Sequence, residues 1–392
     1  MKKIICSLIM AACCTLGAKA QLADGFYHFK NTVTGRYISI NDTDPGNYKV
    51  SQSGSVNMQG IRTYIDYDTV AVSPSCVIFV RNLPGGGYDL VGQGSSLYSM
   101  ANQKLQIYIT ANGDGSYKLS GTAQGVSMTL NDRSPSNNDG YVITNNYLTE
   151  NWYAIPINTV DEYIGVRPSI KTADGAYYGT IFAGFNFRLA SPGMAAFYIS
   201  NAGGSGFDMQ QIEDEVIPAS TPVIIRCNSS DVRDNLIEPV IGGYTFDYQN
   251  WLGGVYCSVD VNQHRNKTPY DPVTMRLLGL SDNGELAFTK ANLIEDNRLF
   301  KDQFLMANRA YLKVPSDAAD VLTLGGYNNE DPDIPDNPDN PDDPDDPDAI
   351  NAIQADENTS TDIYTLTGVR LTDKVKPLPG IYVKNGKKII IR

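Results

Sequence analysis

Histidine is nearly absent from this chain. His28 and His264 are the only two in 392 residues. Ser-His-Asp or Cys-His catalysis would have to use one of them. His28 stands within a strand-like run, where a structural imidazole is expected, and His264 lies in the polar run Asn262-Gln263-His264-Arg265-Asn266-Lys267, which reads as an exposed loop. Cysteine is scarce too. Cys6, Cys13 and Cys14 fall within the first twenty residues, which leaves Cys76, Cys227 and Cys257, an odd number with neither metal-ligand spacing nor a disulfide framework. A Cys227–Cys257 bridge and buried free thiols both stay open. No Cys-x-x-Cys, His-x-x-x-His, glycine-rich phosphate loop or dinucleotide fingerprint occurs. The expectation is therefore no catalytic residues, no metal and no cofactor. Past the N-terminus, no apolar run approaches the ~20 residues that span a bilayer.

An acidic body is missing as well, although the formal charge is −13. Ten Asp and Glu residues between Glu330 and Asp348 carry most of it, and only three net negative charges remain for the rest. That balance points to no nucleic-acid partner and to no strongly acidic binding face.

What is present is organised around the run from Asp331 to Asp348, where proline recurs at every third position from Pro332 to Pro347. Such a segment has no apolar face to bury, and its carboxylates repel. Proline favours polyproline II, so its eighteen residues form a semi-rigid spacer reaching about 55 Å at ~3.1 Å per residue. Residues 1–20 read as a cleaved secretory signal: basic Lys2-Lys3, apolar Ile4 to Gly17, and Ala18-Lys19-Ala20 before Gln21. Met10-Ala11-Ala12-Cys13 imitates a lipobox poorly, with Met in place of the usual Leu.

Residues 21–158 are short β-type runs separated by Gly, Asn, Asp and Pro, and they repeat. Gly35-Arg36-Tyr37-Ile38-Ser39-Ile40-Asn41-Asp42 returns as Gly125-Val126-Ser127-Met128-Thr129-Leu130-Asn131-Asp132. Each copy follows a Tyr-led strand, at Tyr27 and Tyr117, and a third copy begins at Tyr88 with one strand fewer. Units of about 45 residues that cannot bury their apolar faces alone must pack together. On this rhythm the region resembles the ricin-type β-trefoil of secreted sugar-binding modules. The resemblance implies carbohydrate binding, although the Gln-x-Trp of those lectins is absent. Tyr37, Asn41, Asp42, Asn131 and Asp132 are the candidate ligand contacts, because Asn and Asp can hold vicinal hydroxyls while an aromatic ring stacks. Turn chemistry explains the Asn-Asp pairs equally simply.

Residues 159–326 alternate in strands such as Tyr177–Phe182, Ala195–Ile199, Thr221–Arg226 and Ala310–Val314, which predicts a half-buried antiparallel β-sandwich. A short helix within 289–306 is a weaker expectation. The ordered motifs Val216–Ile225, Leu278-Gly279 and Met306–Leu312 resemble an accessory β domain of Bacteroidota surface proteins. After the linker, 327–349, residues 350–392 form a small β unit in which Asn385-Gly386 is a strong hairpin signal. Tyr364-x-Leu366-x-Gly368, then Gly380 and Tyr382 in Pro379-Gly380-Ile381-Tyr382-Val383, then a basic-apolar tail, resemble the C-terminal sorting domain of the type IX secretion system. That implies export to the medium or the outer-membrane surface, with the secretion machinery as a partner.

The expectation is an all-β, non-catalytic surface binding or adhesion protein with a glycan or surface ligand. The alternative is a polysaccharide hydrolase using an Asp/Glu pair, for which Glu213-Asp214-Glu215 is the densest acidic cluster outside the spacer.

Overall fold

The computed structural model describes residues 22–40, 67–92, 107–123, 126–132, 150–256, 268–300 and 303–325, together with short strands at 48–50, 56–58, 61–64, 95–96, 99–100, 103–104, 142–143, 363–365, 370–371, 380–384 and 387–391. The leader, Asn41, Asp42, Cys257, His264, the acidic spacer, Leu366 and Gly368 lie outside the described residues. The chain divides into two compact units, 1–329 and 330–392. Both are β-structured, and the helical turns that can be described include one at Tyr67–Val70 and 3-10 turns at Pro74–Cys76 and Val232–Asp234.

The first half of the larger unit is a sheet that closes on itself. Its strands are β1 (Gly25–Asn31), β2 (Tyr37–Ile40), β3 (Ile61–Tyr64), β4 (Ile78–Asn82), β5 (Tyr88–Gly92), β6 (Ile107–Ala111), β7 (Tyr117–Ala123), β8 (Val126–Thr129) and β9 (Asn151–Pro156). Antiparallel pairing runs β1–β4–β5–β6–β7–β9 and back to β1. Closure removes the two free edges that an open sheet would expose. β2 pairs with β1 and β3, and β8 pairs with β7, so the two copies of the Gly-led repeat occupy equivalent places. The middle copy is not a strand short: Ser95–Ser96 pairs with β5, and Ser99–Met100 pairs with Gln103–Lys104.

Period-2 alternation divides β1 and β4 between two cores. Tyr27, Phe29, Ile78 and Val80 point into the ring with Leu90, Leu119 and Trp152. Phe26 and Val77 face the opposite way and join a second cluster with Phe185, Phe187, Val223 and Ile225 from the second half. Phe26 sits 5.0 Å from Phe79 and 5.9 Å from Phe185, centroid to centroid. The Gly165 amide donates to the Ala71 carbonyl at 2.8 Å. The Gly165 position has no room for a methyl group, since a Cβ there would lie 2.8 Å from the Asn235 carbonyl oxygen. Residues 22–158 and 159–325 thus share buried surface.

The second half uses β10 (Tyr177–Ile181), β11 (Asn186–Leu189), β12 (Ala195–Gly203), β13 (Gly206–Gln211), β14 (Val223–Cys227), β15 (Leu236–Val240), β16 (Leu252–Val255), β17 (Met275–Leu280), β18 (Leu286–Thr289), β19 (Arg309–Lys313) and β20 (Val321–Leu324). A long sheet runs β10–β14–β12–β13–β20–β18–β17–β19–β16, with Ile170–Lys171 beyond β10 and with β13–β20 parallel. It curls until β19 meets β10: the Arg309 guanidinium donates to the Thr180 carbonyl at 3.1 Å, and the Phe182 amide donates to that of Asn308. Along β14 the side chains split by parity. Val223 and Ile225 enter the cluster beside β11 and β15, whereas Ile224 enters the core inside the curl with Phe207, Phe288 and Leu312. Among the described residues between 289 and 306 no α-helix forms. Asn292 takes over the local backbone, accepting from Ile294 with its side chain and from the Asp296 amide with its carbonyl, and Leu299–Phe300 then pairs with Phe304–Leu305. Turn chemistry outcompetes the helix there.

In the smaller unit, β21 (Ile363–Thr365), β22 (Arg370–Leu371), β23 (Gly380–Lys384) and β24 (Lys387–Ile391) form one sheet in the order β22–β21–β23–β24. Tyr364 lies on β21, and Gly380 and Tyr382 on β23.

Cys76 and Cys227 are buried free thiols, and burial pushes each up to about 12. Thiolate is the reactive form. Neither should be carbamidomethylated by iodoacetamide near pH ~8 in the folded protein, and both should react in denaturant. Peptide mapping that finds Cys76 or Cys227 alkylated without denaturant would contradict this burial.

Candidate functional site

The nominated ligand contacts that can be described, Tyr37, Asn131 and Asp132, are buried. Tyr37 is buried, its hydroxyl donates to Glu162 at 3.4 Å, and its ring meets the His28 ring edge-on at 5.8 Å. His28 is itself buried, with Nδ1 3.1 Å from the other Glu162 oxygen. Glu162, from the second half, thereby ties β1 and β2 to residues that follow the ring. Asn131 donates from Nδ2 to the Thr129 carbonyl at 2.9 Å, and Asp132 accepts from the Thr34 hydroxyl. Both are buried. Tyr37 lies against Glu162, while Asn131 and Asp132 lie at the end of β8.

A more accessible constellation occurs where the chain leaves β15. Residues 241–250 contain Tyr244-Thr245-Phe246-Asp247-Tyr248 and form no strand. Phe246 packs edge-on against Tyr198 of β12 at 5.5 Å, and Tyr248 stacks on the same ring at 5.2 Å and 25°. Tyr244 and Tyr248 keep 44% and 49% of their surface exposed. The loop is aimed by its start. Gly242 has φ 156°, and a Cβ there would come within 2.6 Å of the Tyr244 ring. Asn186 of β11 stitches the base, donating to the Gly242 carbonyl at 2.8 Å and accepting from the Ala219 amide at 2.9 Å.

Opposite the tyrosines lie Asp214, Glu215 and Val216, and the hollow between has a volume of about 350 Å³. On the far side of Asp214 and Glu215 a second cleft contains Arg188 and Glu238. Arg188 Nε and Nη2 donate to Glu238 at 2.9 and 2.7 Å, and Nη1 reaches Glu215 at 3.4 Å. These hydrogen bonds, above all the one to Glu238, push the Arg188 guanidinium further up. Glu215 and Glu238 are thus bound to one guanidinium, while Asp214 and Asp247 line the tyrosine hollow. Flat aromatic faces beside carboxylate acceptors can bind a ligand with an apolar ring face and hydroxyls at its edge.

Sequence reading passed over this loop because it predicts no strand. The signal was there: an aromatic at every second position, directly after Gly242-Gly243. Among the described residues no group of three or more His, Cys, Asp or Glu side chains comes together to hold a metal ion, and no helix is long and apolar enough to cross a membrane.

No protein-family model matches this sequence, and no curated protein matches it. Fold and site together define the class: an all-β protein with curled sheets, almost no helix, and an exposed aromatic-carboxylate groove.

Proposed function

We propose that this chain is an exported, non-catalytic binding or adhesion protein that recognises carbohydrate, with the Tyr244–Tyr248 groove as its recognition surface. The observation that carries the reading is half-exposed Tyr248, seated on Tyr198 and Phe246, with half-exposed Tyr244 in the same hollow beside Asp214 and Asp247. A large exposed aromatic patch on a surface loop is a mark of an interaction site.

Within this reading residues 21–158 are a β-trefoil-like module. Each repeat contributes two strands to the six-strand ring, β1 and β4, β5 and β6, β7 and β9, and outlying strands lie on the repeats, which supports that assignment. Residues 159–326 are a sandwich-like accessory module. The 350–392 unit, with Tyr364, Gly380 and Tyr382 in one sheet, is a sorting-like module served by type IX secretion machinery, and the destination is the medium or the outer-membrane surface.

A glycan array probed with the full chain should give glycan-specific binding. Tyr244→Ala with Tyr248→Ala should weaken it at least about ten-fold, since aromatic anchors dominate such surfaces, and the unfolding midpoint should not move. Binding that survives the double substitution would discard this groove, and silence across the array would discard the carbohydrate reading. Turnover of a polysaccharide that disappears in Glu215→Gln or Glu238→Gln would replace it with the hydrolase alternative.

A further inference from the structure

Where β10 and β19 meet, the curled sheet leaves a cavity of about 400 Å³. Its floor includes Leu277, Leu278 and Leu305, and its polar wall includes Ser169, Asn297 and the ring of Tyr311. Three arginines, Arg167, Arg298 and Arg309, line it, and no carboxylate does among the described residues. Tyr311 has its place because Gly253 stands opposite on β16, where a Cβ would fall 2.4 Å from the ring.

The three guanidinium groups are not equivalent. Arg298 is answered within its own loop: Nε donates to the two Asp296 oxygens at 2.8 and 3.0 Å, and Nη1 donates to the Leu278 carbonyl at 2.6 Å. Burial works against the Asp296 charge, yet the bonds to Arg298 hold that carboxyl below the ordinary carboxylate value. Arg309 has no such answer. It is partly buried, it donates from Nη1 to the Thr180 carbonyl, and no acidic group pairs with it or with Arg167 among the described residues. Burial first, and then the like charge of Arg167, push the Arg309 guanidinium down. Two cations therefore face one cavity, and the described residues supply neither with a counter-charge. Arginine stays protonated in proteins, and an uncompensated charge of this kind is costly until an anion enters.

We infer that this cavity is an anion-binding site for a small molecule of about monosaccharide size bearing one oxyanion group, a carboxylate or a sulfate, on a ring. Arg309 and Arg167 receive the oxyanion, for which a guanidinium fork has matching geometry. Tyr311 and the leucines receive the body, and the cavity volume is within the range of small-molecule sites. The site is separate from the Tyr244–Tyr248 groove and shares no residue with it.

Calorimetric titration of the full chain with D-glucuronate, with glucose 6-sulfate, with glucose and with inorganic sulfate tests the assignment. Glucuronate or glucose 6-sulfate should bind, more weakly at high salt, and the stronger of the two identifies the oxyanion. Arg309→Gln should reduce that affinity at least about ten-fold, as loss of a desolvated charge contact does, and Arg167→Gln should reduce it by a smaller factor, because that guanidinium stays in water. Arg167 is exposed, so its substitution reads binding rather than folding. Tyr244→Ala with Tyr248→Ala should leave the affinity unchanged, which separates this site from the glycan groove. No binding of either sugar anion, equal binding of glucose, equal binding of inorganic sulfate, or affinity that survives both arginine substitutions would each overturn the inference.

Discussion

Trp152→Ala is expected to destabilise the larger unit by about 3–5 kcal/mol, the ordinary range for truncating a buried tryptophan. The indole is 0% exposed and packs among Tyr27, Phe29, Leu90 and Leu119 inside the closed ring. It also stands where the ring is sealed, since Trp152 pairs with Asn31 of β1 and with Tyr117 of β7. Its Nε1 donates to the Leu130 carbonyl at 3.1 Å, so removing the ring leaves a void and a buried acceptor without its donor. Trp152→Phe should cost less, because most of the volume remains while the hydrogen bond is lost. With only two tryptophans in the chain, Trp251 is the remaining fluorescence reporter for urea unfolding of either variant. A midpoint indistinguishable from wild type in Trp152→Ala would show that the ring does not depend on this closure.

Arg276→Met should be comparably damaging, about 3–5 kcal/mol, for a different reason. Arg276 is 1% exposed on β17, and among the described residues no carboxylate is in direct contact with it. Its guanidinium instead donates to five backbone carbonyls: Ala318 and Ala319 at 2.8 Å, Pro272 and Met275 at 2.9 Å, and Val273 at 3.4 Å. One side chain thus fastens the turn before β17 to the segment leading into β20. Methionine fills similar space but removes a donor from each of those acceptors, of which the Met275 carbonyl keeps the Tyr270 hydroxyl, and each one left unpaired carries a desolvation cost of about 1 kcal/mol or more. Arg276→Lys separates charge from geometry. An ammonium offers three donors against the guanidinium's five, so lysine should recover about half of the loss if hydrogen-bond count governs. Lysine as stable as wild type would assign the effect to charge alone.

The strand pattern was legible before any coordinates. Tyr177–Phe182, Ala195–Ile199 and Ala310–Val314 each alternate, and each overlaps an observed strand. The equivalence of the Gly35 and Gly125 repeats was legible too, because a repeated sequence reproduces the same local pairing. Less visible was the middle copy, whose two-residue strands are too short to leave a periodic signal. The 289–306 stretch misled because Asn292 and Asp296 take backbone hydrogen bonds that a helix would need.

The sites were legible only in part. An Asn-Asp pair at a strand end has one sequence appearance whether it faces solvent or fills a turn. Burial of Asn131 and Asp132 is decided by the hairpins and ring around them. The tyrosine groove had a local signature, with Asp247 in the same loop, but its facing carboxylates come from residues 214–215, some thirty positions earlier in the chain. The arginine cavity had no signature at all, since Arg167, Arg298 and Arg309 belong to separate segments and meet only because the sheet curls.

By itself, then, the sequence determined the β class, the threefold rhythm, the scarcity of histidine and cysteine, and the confinement of negative charge to 330–348. Those properties depend on composition and on neighbours a few residues apart. The tertiary structure alone decided which polar side chains are enclosed, which aromatics stay exposed, and which charges lack a partner, because each depends on contacts between segments that only the curled sheets bring together.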